Sequence, residues 1–355
     1  MAARSPTARL STVLPPERLT QSLEMWGFSI IDHAFGPDFS LAVREEIHLL
    51  DDAQLFTQSG NVMTAEIPSI TGGGKDRINA AASKPGITEL DLVLSGQLVP
   101  HKAAAFSILC PRLVTFFREE IPQLVPIFNG ACPALQLTRL DQMKLQINSG
   151  DGACFPMHFD TSLQASERHL TAILYLNPEW TGADGGCLRI YPLPYEQQDI
   201  APLFDRLVLF CSTHMLHRVL PCHSPRYCLS MWFASASPSH PFPSRMRLTS
   251  EPLDEVGLAR DAMQGPLLSF LFDNATRKNL CKILYSDEWE ASCREAFSNK
   301  SDLSHIDASM KLHRKGVRVL KSEMDPKLLS LLVTILPLNG DDILSDHCFL
   351  DAEPQ

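Results

Sequence analysis

Between Gln136 and Ser237, apolar and polar residues alternate over short runs, the two-residue period of half-buried strands. The predicted strands are Gln136–Leu140, Met143–Ile147, Leu170–Leu176, Cys187–Tyr191, Arg206–Phe210 and Arg226–Phe233. Turn-forming clusters separate them, notably Asn148-Ser149-Gly150-Asp151-Gly152 and Gly182-Ala183-Asp184-Gly185-Gly186. Short strands at this spacing predict a sandwich or barrel rather than a parallel α/β sheet. On either side the period lengthens. Pro16–Met25 and Pro37–Leu50 predict helices, the second with Phe39, Val43, Ile47 and Leu50 on one face, and Trp26–Ile31 predicts a strand between them. Ser59–Ser83 reads as a long loop or irregular hairpin, and Leu90–Pro122 as one or two buried helices. The proline-rich run 235–245 reads as a linker, because prolines break strand ladders. Helical spacing returns beyond it. Asp287 and Glu290 predict a capping box for a helix with Trp289, Cys293, Ala296 and Phe297 on one face. Asp325-Pro326 predicts the start of another before Leu328–Leu336.

Composition narrows the class. The 355 residues are 45% hydrophobic and 20% charged, which supplies a core and excludes a wholly disordered chain. A net charge of -10 argues against a nucleic-acid partner, which calls for a basic face. The most apolar run, Leu328–Leu338, is far short of the roughly 20 residues that span a bilayer, so no membrane association is expected. Residues 1–16 lack a secretory apolar stretch and read as a disordered tail, with a transit peptide as the alternative. The 10 cysteines show no CxxC pair and read as reduced thiols, which favours a cytoplasmic or nuclear location.

The sharpest local feature is His158-Phe159-Asp160. Residues i and i+2 of an extended segment point to one side, so imidazole and carboxylate can converge. A non-haem Fe(II) site needs two histidines and one carboxylate on one face, with positions left open. His217 is the candidate third ligand, and His214 and His223 read as loop histidines. Arg226 opens a strand nine residues later and could grip a carboxylate through two parallel N–H bonds. Ferrous iron with an anion-binding arginine is what a 2-oxoglutarate-dependent oxygenase requires. Gly72-Gly73-Gly74-Lys75 fails as a phosphate loop, because Ser69 and Asp76 stand where Gly and Ser or Thr are needed. Cys222 and Cys228 read as buried thiols.

In order, Met157–Asp160, His169–Asn177, Gly185–Tyr191, Phe204–Phe210, His217–Pro221 and Arg226-Tyr227 resemble the prolyl 4-hydroxylase type of 2-oxoglutarate/Fe(II) dioxygenase, nearest to the hypoxia-sensing prolyl hydroxylases. The resemblance covers roughly Gln136–Phe233. It implies a mainly β fold with helices: a double-stranded β-helix (jelly roll) core, amino-terminal supporting helices and, after the core, the helical carboxy-terminal extension. It implies His158, Asp160 and His217 as iron ligands, Arg226 and Tyr175 as holders of the distal 2-oxoglutarate carboxylate, and Trp232 as a pocket aromatic. Fe(II), 2-oxoglutarate, O2 and L-ascorbate are the implied cofactors and co-substrates. One position departs from the pattern: Asn148 stands where the hypoxia-type enzymes carry a pocket Tyr. The segment Gly72–Arg77 corresponds loosely to a mobile substrate-covering loop.

The expected organisation is a tail (1–16), helical support and loops (17–135), the oxygenase core (136–234), a linker (235–245) and a helical extension (246–355) that packs on the core or carries a partner surface. The expected reaction hydroxylates a prolyl residue in a protein, with succinate and CO2 as co-products. The alternatives are the same chemistry on another side chain or small molecule, and a catalytically silent binding module. No oligomeric state is read.

Overall fold

The computed structural model describes residues 5–68, 75–161, 166–193, 195–236, 274–297, 303–324 and scattered positions between 326 and 336. Short helices lead in: α1 (Pro6–Val13), α2 (Pro16–Trp26), then strand β1 (Phe28–Ile31) and helix α3 (Pro37–Asp52). A long hairpin follows, β2 (Thr57–Pro68) and β3 (Lys75–Leu94), with a two-residue β4 (Gln97–Leu98) folded back on β3. Helices α4 (Ala103–Leu109), α5 (Pro111–Thr115) and α6 (Ile121–Ala131) precede the strands β5 (Leu137–Asn148), β6 (Ala153–His158), β7 (Arg168–Tyr175), β8 (Leu188–Tyr191), β9 (Gln198–Ile200), β10 (Leu207–Cys211), β11 (Leu216–Cys222) and β12 (Arg226–Ser235). Three helices close the described chain: α7 (Asn274–Leu284), α8 (Ser286–Ala296) and α9 (Leu303–Glu323).

The strands form two antiparallel sheets. The larger runs β1-β10-β7-β12-β5-β3-β2 and the smaller β6-β11-β8-β9. Non-sequential neighbours in both sheets make this the jelly roll that the resemblance implies. The central strands β7, β10 and β12 of the larger sheet are buried on both sides, and strict alternation decides which residue goes where. Leu229, Met231 and Phe233 of β12, with Ala172 and Leu174 of β7, pack under α1–α6 in one core. Tyr175, Ile173 and Cys228 point the other way, into the space shared with the smaller sheet. Among the described residues no helix is long and apolar enough to cross a membrane.

Several expectations are corrected. Residues 1–16 do not form a tail throughout, because Pro6–Val13 is helical. Ser5 caps that helix, Leu10 is buried, and Thr7 Oγ1 donates to Glu120 Oε2 at 2.5 Å. The two strands expected over Gln136–Ile147 are one: Asp141 and Gln142 interrupt the apolar pattern, but a bulge opposite Trp232/Phe233 absorbs them. Leu90–Leu94 belongs to β3, not to a helix, and the helical run begins with a 3-10 turn at Pro100. One expectation holds: the described parts of Ser59–Ser83, residues 59–68 and 75–83, pair as the β2–β3 hairpin, the second of the two readings. The Asp287 capping box does not form, because Tyr285 is the cap and Asp287 lies inside the first turn. Nearly all of the 235–245 linker, Gly72–Gly74 and most of Asp325–Leu336 lie outside the described residues.

Candidate active site

β6 and β11 are hydrogen-bonded neighbours, and their register sets His158 directly opposite His217. A cross-strand pair places its side chains together on one face, and here the imidazole centroids are 4.3 Å apart. Asp160, just past β6, returns to the same side. Its Oδ1 lies 3.6 Å from His158 Nε2 and 3.4 Å from His217 Nε2. One ligand atom from each residue falls within 4.8 Å of the others, a cluster able to hold a metal ion.

The surroundings fix each donor atom. His158 Nδ1 is hydrogen-bonded to Pro156 O at 2.7 Å and His217 Nδ1 to Met215 O at 3.0 Å, which turns both Nε2 atoms toward the centre. Asp160 Oδ2 accepts from Thr171 Oγ1 at 2.5 Å and from Trp232 Nε1 at 3.0 Å, leaving Oδ1 for the centre. Burial opposes the Asp160 charge, but the two imidazoles outweigh it and hold the carboxyl well below its ordinary range. Burial and the His217 ring push His158 down. These shifts favour carboxylate and neutral imidazole, the forms that bind metals. The donor set, two nitrogens and one carboxylate on one face, fits a non-haem Fe(II) centre.

Deeper between the sheets lies Arg226, only 4% exposed. Its guanidinium carbon sits 4.9 Å from the Tyr175 ring centroid, and Nη1 reaches Cys228 Sγ at 3.8 Å. Among the described residues no carboxylate pairs with it, and both Arg226 Nε and Tyr175 Oη are buried without a hydrogen-bond partner. Gly186 makes this depth possible: at φ +72° its missing Cβ would stand 2.9 Å from Arg226 Cδ. Burial pushes the Tyr175 phenol up, so it remains a proton donor. His158, Asp160, His217 and Arg226 line one pocket, walled by Phe155, Ile173, Leu188 and Val219. An uncompensated buried cation beside an unused hydroxyl fits the carboxylate of a 2-oxo acid.

The structure therefore brings together His158, Asp160, His217, Arg226, Tyr175 and Trp232. His214 stands apart, 2.6 Å from Thr213 Oγ1, and burial with the Arg277 charge pushes it down to about 3. His223 is exposed, and Cys222 and Cys228 are unpaired buried thiols. Asn148 is spent on the β5–β6 turn, donating to Ala153 O at 2.9 Å and accepting from Gly150 N at 3.1 Å. Sequence reasoning missed Thr171. The signal was available, since Thr171 and Tyr175 are four residues apart on one strand and share a face.

Comparison with known proteins agrees with this geometry. Residues 143–234 match the model of the 2OG-Fe(II) oxygenase superfamily. A Caenorhabditis elegans hypoxia-inducible factor prolyl hydroxylase is 26% identical over 233 residues, covering 62% of this chain and 28% of that protein. Human prolyl hydroxylase EGLN3 is 36% identical over 126 residues, covering 35% of this chain and 52% of that protein. The chain thus spans about half or less of these curated relatives. A crystal structure from work on Phytophthora capsici prolyl 4-hydroxylases superposes with a TM-score of 0.65 at 25% identity, covering 98% of this chain and 96% of that one. The superfamily implies Fe(II), 2-oxoglutarate and O2. Residues 143–234 carry a 2OG-Fe(II) oxygenase domain, within a chain that resembles prolyl hydroxylases.

Proposed function

We propose that this chain is a 2-oxoglutarate- and Fe(II)-dependent dioxygenase that hydroxylates a prolyl residue of a protein, releasing succinate and CO2. The observation that carries the reading is the pairing of a three-ligand face with a buried arginine that has no carboxylate partner among the described residues. Prolyl specificity rests on the names of the relatives. Ascorbate, as the reductant that keeps iron ferrous, belongs to the same proposal. So does a reducing compartment, cytosol or nucleus, supported by nine described cysteines with no disulfide between any two of them. We assign the core to 136–234 and the extension to 246–355.

Bound at this face, Fe(II) with 2-oxoglutarate and O2 supplies the oxidising power that inserts oxygen into a C–H bond. His158, Asp160 and His217 hold the metal from one side and leave the other side to substrates. Arg226 binds the distal carboxylate of 2-oxoglutarate, and the Tyr175 hydroxyl donates to the same group. Thr171 and Trp232 fix the Asp160 carboxylate so that one oxygen serves the metal. Phe155, Ile173, Leu188 and Val219 limit water in the pocket.

Purified protein incubated with Fe(II), 2-oxoglutarate and proline peptides is expected to yield succinate and a peptide heavier by about 16 mass units, one oxygen atom. Asp160→Ala is expected to abolish both. A wild-type protein that neither binds iron nor forms succinate would sink the oxygenase reading. Succinate formation without any peptide oxidation would leave the oxygenase and remove the prolyl substrate.

A further inference from the structure

On the reading of the site as an iron centre, we propose that the carboxy-terminal helices α7 and α8 are a positioning brace for the metal, gripping the residues that alternate with its ligands. β6 is the edge strand of the smaller sheet, so its outer amides lack a strand partner. α8 fills that place: Met157 N, immediately before His158, donates to Ser292 Oγ at 2.9 Å, and Ser292 Oγ donates to Trp289 O at 2.7 Å. Phe159 stands between the ligands His158 and Asp160. Lys278 Nζ of α7 lies 4.6 Å from the centroid of its ring, and the Trp289 ring lies 5.9 Å away.

The second metal-bearing strand is held in the same way. Arg218, next to His217 on β11, is ion-paired with Glu295 and stands 3.9 Å from Glu288. Glu288 also accepts from Tyr191 of β8 at 2.5 Å. Met157, Phe159 and Arg218 flank the three ligands in sequence, and each is met by the extension. A shift of α7 or α8 therefore moves the backbone that carries the ligands. Groups outside the first coordination sphere tune metal affinity by orienting the ligands.

The test measures Mn(II) affinity of the full-length protein by electron paramagnetic resonance, together with thermal stability. Ser292→Ala and Lys278→Met are expected to weaken Mn(II) binding by about tenfold, the lower end of the effect of losing an outer partner. Lys278→Arg is expected to restore binding, because a guanidinium also sits on an aromatic face. Glu290→Gln breaks the pairs of Glu290 with Arg294 and Arg314 elsewhere on α8, and it is expected to leave Mn(II) affinity unchanged. Wild-type affinity in both Ser292→Ala and Lys278→Met overturns the brace. So does an equal loss in Glu290→Gln, which would mark a general stability effect. Failure of the wild-type protein to bind Mn(II) overturns the iron-centre reading as well, so the two failures are distinguishable.

Discussion

Arg206, at the entry to β10, and Arg226, at the start of β12, are both buried, 8% and 4% exposed, yet their guanidinium groups meet opposite surroundings. Arg206 forms two parallel bonds to Asp32, Nε to Oδ1 at 2.6 Å and Nη2 to Oδ2 at 2.8 Å, and a third to Ala201 O at 3.1 Å. Arg226 has a thiol, an aromatic face and no carboxylate among the described residues. A guanidinium cannot shed its proton to escape burial. The first site is complete within the chain. The second has no carboxylate partner among the described residues, and on the proposed function 2-oxoglutarate completes it. The same division runs along β12, where Leu229, Met231 and Phe233 fill the core under the helices while Arg226, Cys228, Ser230 and Trp232 line the pocket.

Removing each arginine separates the two roles. Arg206→Met leaves Asp32 half-buried without its partner and is expected to cost about 3–5 kcal/mol of stability. Urea unfolding reads that loss, while 2-oxoglutarate affinity should remain at the wild-type value. Arg226→Met should do the reverse. Without ligand its melting temperature should equal or exceed that of the wild type, because an uncompensated cation has been removed. Affinity for 2-oxoglutarate, followed by calorimetry with Mn(II) present, should fall by about 2–5 kcal/mol. A clear destabilisation of unliganded Arg226→Met would show that its charge is satisfied within the protein and would break the comparison.

The two faces of β12 give a smaller contrast. Leu229→Ala opens a cavity in the helix-covered core and is expected to cost about 2–5 kcal/mol without changing Mn(II) affinity. Ser230→Ala, its neighbour on the pocket face, loses one hydrogen bond to Gln146 and should cost only about 1 kcal/mol. Chemical unfolding of both variants ranks them, and a larger loss in Ser230→Ala would reverse the assignment of faces.

These contrasts also explain what the sequence could convey. The i, i+2 pair His158 and Asp160 and the strand opening at Arg226 were legible because strand alternation is local. The register that sets His217 opposite His158 is not local, and family resemblance supplied what periodicity could not. β6 was not recognised as a strand: Ala153–Met157 is almost continuously apolar, buried under α8 as well as within the sheet, so it does not alternate. α1 was missed because its eight residues carry little apolar signal; Leu10 and a bond from Thr7 to distant Glu120 hold it. The grip of α7 and α8 on Phe159 depends on side chains more than 100 residues apart, which no short-range pattern reports.

Lys84 is a third buried cation and sharpens the comparison, because an ammonium has an exit that a guanidinium lacks. It is 5% exposed, with Nζ 3.4 Å from Ser59 Oγ and 4.4 Å from the Phe155 centroid. Burial pushes it down to about 8, with Glu89 opposing and Lys144 assisting. The unfolded chain keeps this proton up to its ordinary value near 10.5. Between those values the unfolded state binds more protons than the folded one, so stability rises with pH. The shift corresponds to about 3 kcal/mol across the window. Below pH 8 the folded protein carries the full burden of the buried charge. Lys84→Met should therefore be more stable than the wild type at pH 7, and the difference should shrink as pH rises from 8 to 10. Urea midpoints of the two proteins at several pH values measure it. A difference that stays constant across that range would show that Lys84 titrates as an exposed lysine does.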